Sequence, residues 1–282
     1  MKKVISYSLF GYGKQFENCF SFNSYLRGLM ISLRMNRLIY PDFETWLYID
    51  TLTYAAYRDL FDKLKAQEIM RIFICPDAPL CEAMLWRLRP AFDVDCELFI
   101  CRDLDSPVTM RERKCVQYWL ESNKSCHAIT DSISHNIPLM GGMIGFRSQA
   151  FRDYTGTSDF NEIIKNYGYR DYTVKGSDQD FLNTHIYPLF SKPGTDSIIQ
   201  HYLKGMPNTW LPEYRNTVPD VKVPIPEEMR ESNDVCGHIG SAGYYSTAMD
   251  KFLKKYRNKF NNLREIESQY PDLFYWVKEE TL

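Results

Sequence analysis

Apolar and polar residues follow two different periods along the first hundred positions of the chain. Four short runs are apolar and bounded by turn-forming residues, which predicts strands at Val4–Phe10, Thr45–Ile49, Met70–Ile74 and Cys96–Ile100. The segments between them carry apolar residues at helical spacing, which predicts helices at Phe22–Leu38, Tyr54–Lys65 and Pro79–Leu88. This βαβαβαβ order predicts an α/β fold with a mostly parallel central sheet flanked by helices.

Glycines and carboxylates follow the predicted strands, at Gly11–Gly13, Asp50, Pro76–Asp77 and Asp103–Asp105. Ligands of parallel sheets bind at the carboxyl ends of the strands, so these residues are expected to line a site. Asp103 and Asp105 are costly to leave unpaired. If the strand continues through them, the two side chains point the same way, because the side-chain period of a strand is two.

Local signals predict the elements that follow. Thr109 and Glu112 form a capping-box pattern at the start of a predicted helix, Met110–Glu121. Gly141 and Gly142 indicate a place where the backbone turns sharply or approaches another group closely.

The later chain gives weaker signals. Asp178–Tyr187 reads as a short helix with Ser177 or Asp178 as its N-cap. A Pro-rich polar stretch over Gly205–Asn233 predicts a long loop, and Met249–Leu263 a basic helix.

Composition narrows the function classes. Of 282 residues, 44% are hydrophobic and 25% charged, as in ordinary globular proteins, and the net charge of −2 gives no general attraction for nucleic acid. The eight cysteines form no CxxC pair, which predicts reduced, mostly buried thiols. The sequence shows no secretory signal or bilayer-spanning run, so we expect a cytoplasmic protein that acts in solution or at a membrane surface.

Five short motifs resemble those of one enzyme family. They are LWRLR at Leu85–Arg89, Asp-x-Asp at Asp103–Asp105, GGMIG at Gly141–Gly145, SDQD at Ser177–Asp180 and HIGSAG at His238–Gly243. Their order and spacing resemble nucleotide-sugar glycosyltransferases of the GT-A fold, in particular the galactosyltransferase-like members. The last motif lacks the Lys-Pro-Trp that often follows the histidine in that group, so the subfamily and the stereochemistry of transfer stay open.

The resemblance implies a metal-dependent transfer of a sugar, expected to be a hexose, from a nucleotide-diphosphate sugar to a glycan or other hydroxyl acceptor. It implies a single GT-A domain over residues 1–282, with a nucleotide-sugar-binding half (1–106), an acceptor-side half (107–245) and a C-terminal helical segment (246–282). Mn²⁺ or Mg²⁺ would be held by Asp103, Asp105 and His238, with His201 as the rival third ligand. Hard cations of this kind prefer oxygen ligands.

The other expected site residues fall into two groups. The donor would contact residues at the strand ends and beside them, namely Phe10, Gly11, Asp50, Arg87, Asp103, Gly141 and Gly142. The acceptor side would use Asp178, Gln179 and Asp180, one of which would act as a base or bond the sugar hydroxyls.

Alternatives remain for both the function and the residues. The chain could be a non-catalytic nucleotide- or sugar-binding protein on the same fold, or a nucleotidyltransferase, although the first loop, FGYGKQF, has a single lysine. Most of the singled-out residues have a structural reading as helix caps, core or solvated surface. His127, Asp131 and His135 are spaced four apart, and we expect them to line an acceptor pocket rather than to bind zinc.

Overall fold

The computed structural model describes residues 1–14, 22–130, 137–166, 176–192, 197–202 and 222–224. Its strands are β1 (Lys2–Leu9), β2 (Glu44–Asp50), β3 (Arg71–Cys75), β4 (Cys96–Arg102), β5 (Cys126–Thr130), β6 (Met143–Arg147), β7 (Ile198–Tyr202) and β8 (Lys222–Pro224). The larger helices are α1 (Phe22–Ile39), α2 (Thr51–Ala56), α3 (Arg58–Ala66), α4 (Leu80–Leu85), α5 (Met110–Leu120), α6 (Ser148–Thr155), α7 (Phe160–Asn166), α8 (Ser177–Phe181) and α9 (Tyr187–Phe190). A 3-10 helix covers Trp86–Phe92, and a π-helical turn covers Leu182–Ile186.

The strands form one sheet in the order β3-β2-β1-β4-β6-β5-β7-β8. Every pairing is parallel except those of β6, which runs antiparallel between β4 and β5. The predicted α/β fold with a mostly parallel sheet flanked by helices is therefore confirmed. The carboxyl ends of β1, β2 and β4 lie at the same edge of the sheet, as parallel neighbours must.

Two apolar cores cover the two faces of the sheet. One contains residues of α1, α3 and α5 and the other residues of α4, the 3-10 helix, α6 and α9. On β4 the side chains alternate between them, with Ile100 in the first core and Cys101 in the second. Within the part of the chain that the structure describes, the cysteines form no disulfide and are buried, as predicted: Cys75, Cys81, Cys96, Cys101, Cys115 and Cys126.

Several predicted boundaries are wrong. The helix expected at Tyr54–Lys65 is two helices, α2 and α3, that meet at Tyr57. The helix expected at Pro79–Leu88 changes at Trp86 into the 3-10 helix, which contains Pro90. A proline inside a helix removes a backbone donor, which favours such a break.

Some predictions lie outside the described residues. They concern Asp131, His135, His238, most of Gly205–Asn233 and the whole of Met249–Leu263. Among the helices that are described, none has the length and apolar character needed to cross a bilayer.

Candidate functional site

The acidic pair lies in a turn rather than in a strand. β4 ends at Arg102, and the Ser106 backbone N–H donates to the Asp103 carbonyl oxygen at 3.2 Å to close a turn over residues 103–106. The expectation that the strand period aligns Asp103 with Asp105 is therefore wrong, because neither residue is in the strand. The Asp103 side chain is 43% exposed. One of its oxygens forms an ion pair with Arg87.

Arg87 joins two carboxylates that are far apart in the sequence. Its Nη1 forms an ion pair with Asp103 Oδ1, and its Nη2 donates to Asp178 Oδ2 at 2.5 Å. The Arg87 backbone oxygen also accepts from the Cys101 thiol at 3.3 Å, which ties the 3-10 helix to β4. The structure thus brings together residues of three segments: the 3-10 helix, the turn after β4 and the start of α8.

Gly141 and Gly142 sit against this cluster with no room for a side chain. A Cβ atom built on Gly141 would lie 2.5 Å from both Arg87 Nη2 and Asp178 Oδ2. A Cβ on Gly142 would overlap the Asp103 carboxylate. Neither glycine has a positive φ angle, so glycine is required here by close approach and not by backbone conformation.

The start of α8 differs from the prediction. Its N-cap is Gly176, with a φ of 93°, and no side chain caps the helix, so the predicted cap at Ser177 or Asp178 is wrong. Asp178 is buried and faces Arg87 instead. Gln179 is partly buried and Asp180 is exposed.

Asn183, which the sequence analysis missed, holds α8 beside the glycines. Its Oδ1 accepts from the Leu139 N–H at 2.9 Å, and its Nδ2 donates to the carbonyl oxygens of Leu139 at 2.8 Å and of Gln179 at 2.7 Å. A side-chain amide that bonds both backbone groups of one residue fixes a loop as a strand would. Nothing in the local pattern singled it out, because Asn183 is followed directly by two more polar residues, Thr184 and His185.

Burial and the neighbouring charges shift the pKa values of Asp178 and Arg87. Burial raises the pKa of Asp178, and the neighbouring Arg87 guanidinium offsets only part of that effect. Burial opposes the charged form of Arg87, but Asp103 and then Asp178 outweigh it, so the pKa of Arg87 is raised and the side chain stays protonated.

The ends of β1 and β2 form a second part of the site edge. Asp50 Oδ2 accepts from the Gly11 N–H at 2.6 Å, and Asp50 Oδ1 accepts from the Thr53 N–H at 2.5 Å. Asp50 is therefore the N-cap of α2 and ties the end of β1 to it. Phe10 packs edge-to-face on Trp86, next to Arg87, with ring centroids 6.0 Å apart. These contacts connect the two parts.

The residues at the turn suit a hard divalent cation in their chemistry. Asp103 and Asp105 supply carboxylate oxygens, and Asp103 is open enough for an ion to approach. Within the described ranges, no group of three His, Cys, Asp or Glu converges on a common point. The third predicted ligand, His238, lies outside those ranges.

His201, the rival third ligand, is a core residue. It lies in β7, 1% exposed, and its ring packs edge-to-face on Tyr118 of α5 and on His127, at 5.8 and 5.1 Å between centroids. His127 stacks on Trp119 of α5 at 5.4 Å. Both imidazoles are core residues on the α5 face of the sheet, opposite the face that carries Arg87. The prediction that His127 lines a pocket is therefore wrong.

Comparisons with known proteins give remote structural similarity only. No family profile matches the sequence, and no curated protein is significantly similar to it. The solved structures that resemble it include 4-diphosphocytidyl-2C-methyl-D-erythritol synthase from Anaerococcus prevotii, at 12% identity and a TM-score of 0.42, over 71% of this chain and 86% of that one.

Two other similar structures carry glycosyltransferase names. A putative nucleotide-diphospho-sugar transferase from Desulfovibrio desulfuricans is 11% identical, covers 97% of both chains and has a TM-score of 0.41. A mannosyltransferase from Pyrobaculum calidifontis, solved with GDP-Man and Mn²⁺, is 11% identical over 96% of this chain and 69% of that one, with a TM-score of 0.41. Identities of 11–12% and TM-scores near 0.4 do not assign an activity to this chain.

Proposed function

We propose that this protein is a metal-dependent glycosyltransferase that moves a sugar from a nucleotide-diphosphate sugar to an acceptor hydroxyl. The observation that supports it is the cluster of Arg87, Asp103, Asp178, Gly141 and Gly142. Sequence motifs from four separate segments predicted these residues for one site, and they are in mutual contact. They lie where ligands of parallel sheets bind.

The donor nucleotide would lie along the ends of β1 and β2. Phe10 and Gly11 are held at this edge by Asp50 and Trp86. Since backbone donors occupy both carboxylate oxygens of Asp50, its main role in this proposal is to fix the Gly11 backbone against the ligand. A loop held in this way binds with a smaller loss of conformational entropy.

The leaving diphosphate would lie beside Arg87 and the turn at Asp103–Asp105. Asp103, Asp105 and His238 would hold Mn²⁺ or Mg²⁺, which when bound would neutralise charge that develops on the leaving diphosphate. Arg87 adds a fixed positive charge at the same edge. Because Gly141 and Gly142 carry no side chain, Arg87 and Asp103 can sit close against the backbone at this point.

The acceptor would approach from the α8 side. Asp178 is buried and engaged with Arg87, which makes it a poor candidate for direct proton transfer from an acceptor. Asp180 is exposed on the same helix, and Gln179 is partly so. We therefore assign the acceptor contact to Asp180 and Gln179, and the positioning of Arg87 to Asp178.

The test is a panel of nucleotide-diphosphate sugars with Mn²⁺, read by release of nucleoside diphosphate. Asp105→Asn should lose release and Asp103→Asn should slow it, whereas Asp95→Asn, a matched change in an exposed loop, should keep it. A donor that binds without any release would indicate a binding protein. Pyrophosphate formed from a nucleoside triphosphate and a phosphorylated acceptor would indicate a nucleotidyltransferase and would overturn the proposal.

A further inference from the structure

The two ion pairs of Arg87 differ in their access to solvent. The Asp178 side chain is 4% exposed and the Arg87 side chain 8%, whereas that of Asp103 is 43% exposed. The pair with Asp178 is therefore enclosed by protein, and the pair with Asp103 is open on one side. A buried pair is costly to break because each partner would be left as an uncompensated charge. A half-exposed pair exchanges more easily, because water and ions replace the lost partner.

The surroundings of Arg87 favour this asymmetry. Gly141 packs on the junction of Arg87 and Asp178, and its neighbour Gly142 packs on the Asp103 carboxylate. The Arg87 carbonyl oxygen also holds the Cys101 thiol. The 3-10 helix and the Asp178 pair therefore keep Arg87 in place whether or not Asp103 remains in contact with it.

We infer that Arg87 is a built-in counter-ion for Asp103 that competes with a divalent cation for this carboxylate. The inference rests on the proposed function, since it takes Asp103 to be a cation ligand. Before loading, the guanidinium neutralises Asp103. When a cation binds, Asp103 leaves Arg87, which remains paired with Asp178 and is then free on one side to meet an anionic group.

Competition of this kind links two binding events. A cation that binds alone must displace Arg87 from Asp103, so it binds weakly. A ligand that carries a diphosphate offers Arg87 a new partner, which lowers that cost. By thermodynamic linkage, each ligand should then increase the affinity for the other by the same factor. The expected regulation is that the site loads cation and donor together rather than cation first.

The test measures Mn²⁺ affinity without any nucleotide, from the electron paramagnetic resonance signal of free Mn²⁺, on the full chain at fixed ionic strength. Arg87→Met alone would leave Asp178 buried without its partner and could unfold the protein. The comparison is therefore made in a background without that charge: Asp178→Asn against the double variant Arg87→Met/Asp178→Asn. We expect the double variant to bind Mn²⁺ roughly two- to fivefold more tightly, the size expected for loss of a partly exposed competing pair.

Arg89→Met is the matched control. It removes the same charge from the same 3-10 helix, but the Arg89 guanidinium lies over the Phe160 ring at 4.3 Å and not on Asp103. It should change Mn²⁺ affinity less than twofold. An equal gain in this control, or no gain in the double variant, would overturn the inference. So would failure of the wild-type protein to bind Mn²⁺ at any concentration, even if donor turnover in chelator showed that it is a transferase.

A second measurement does not depend on a variant that folds. A crystal structure of the wild-type protein soaked in Mn²⁺ without nucleotide should show Asp103 on the ion and Arg87 still paired with Asp178. An Mn²⁺ ion bound elsewhere, or an Arg87–Asp103 pair that persists beside a bound ion, would contradict the exchange. Neither result would decide whether a sugar is transferred, which the release assay measures separately.

Discussion

Arg102 Nε donates to Glu112 Oε1 at 2.7 Å and so bridges the two ends of the segment that carries Asp103 and Asp105. Both side chains are essentially unexposed. Arg102 Nη1 also donates to the carbonyl oxygens of Cys101 and Ile144, at 2.6 and 3.1 Å. Burial opposes the charge on Arg102, but Glu112 outweighs it, and the pKa of Arg102 is raised. The pair therefore fixes the turn to the end of β4 and the first turn of α5.

Replacing one residue of this pair should destabilise the fold more than replacing both. Arg102→Met or Glu112→Gln alone leaves one charged or polar group buried without its partner, which we expect to lower the free energy of unfolding by about 3–5 kcal/mol. The double variant Arg102→Met/Glu112→Gln should recover most of this loss, since no buried charge is then left unpaired and the glutamine side chain still accepts from the Tyr40 hydroxyl. Urea unfolding of the four proteins gives the coupling directly. Full additivity of the two single effects would show that the pair is not compensated as the structure indicates.

The same double variant separates stability from site geometry. If the pair holds the Asp103–Asp105 turn, the stabilised double variant should still bind Mn²⁺ less tightly than the wild type. Tm near the wild-type value together with unchanged Mn²⁺ affinity would limit the role of Arg102 and Glu112 to folding.

The local pattern was sufficient to predict β1 to β4 and the helices between them, because each of these strands is a short apolar run next to a turn signal. It did not predict β5 or β7, and β8 lies within the stretch predicted as a loop. It failed where a side chain has a distant partner. Glu112 fits a capping box, and Thr109 Oγ1 does accept from the Glu112 N–H at 3.1 Å. The Glu112 carboxylate instead bonds Arg102 and accepts from the Tyr40 hydroxyl at 3.0 Å, a residue 72 positions away in sequence.

At the start of α8, too, a distant partner overrides the local signal. Asp178 at a helix start looks like a cap, and local preference alone favours that interpretation. A buried guanidinium 91 positions earlier in the chain is a stronger partner, so Gly176 takes the cap position and Asp178 faces Arg87. The position of Asp103 and Asp105 in a turn was likewise not predicted, because the apolar run alone does not show at which residue β4 ends.

Gly142→Ala should damage the site more than the fold. The added Cβ would overlap the Asp103 carboxylate and push it away from Arg87. The control is Gly156→Ala, at the end of α6, where a Cβ meets nothing within 4 Å but the φ of 63° is strained for alanine. Both variants should lose roughly 1 kcal/mol of stability. Donor turnover should fall at least tenfold in Gly142→Ala and stay at the wild-type value in Gly156→Ala.

Equal turnover in Gly142→Ala and the wild type would mean that Asp103 does not need its observed position. Asp103 would then be removed from the proposed site. A comparable loss in Gly156→Ala would instead indicate a general response of the protein to backbone strain.

The buried pair His127 and His201 should make the protein sensitive to acid. Burial lowers the pKa of His201 to about 4, and it lowers the pKa of His127 well below its ordinary value of 6.5, with His201 and Arg102 adding to the effect. The unfolded chain therefore binds protons more tightly than the folded one. Stability should be intact above pH 6.5 and should fall as the pH drops from there towards 4, by up to about 1.4 kcal/mol per pH unit for each imidazole.

His127→Leu should make this acid slope shallower by about one proton. Urea unfolding between pH 7 and pH 4.5 measures the slope, and His185→Leu, at a half-buried ring beside Phe181, is the composition-matched control. Mn²⁺ affinity should be unchanged in a His201 variant, because that ring packs on Tyr118 on the α5 face of the sheet. An acid slope in His127→Leu as steep as that of the wild type would assign the effect to other groups.

Asp105→Asn should keep the fold and lose transfer. Asparagine has nearly the same size, so packing in the turn is preserved. It carries no charge, so a divalent cation would lose an oxyanion ligand and the leaving diphosphate its counter-charge. Losing a preorganised electrostatic contact of this kind typically costs on the order of 10²-fold or more in rate. The measurements are Tm in chelator, Mn²⁺ titration and transfer rate with the best donor.

Asp103→Asn is the informative companion to Asp105→Asn, because Asp103 has a second partner. It removes the carboxylate that Arg87 contacts, which leaves the guanidinium with Asp178 alone. We expect a milder rate loss than for Asp105→Asn if Asp103 ligates the cation more weakly than Asp105 does. A folded Asp105→Asn protein with the wild-type rate and metal response would reject the metal role of the turn. Asp103 would then serve only to neutralise Arg87, and the turn only to lead into α5.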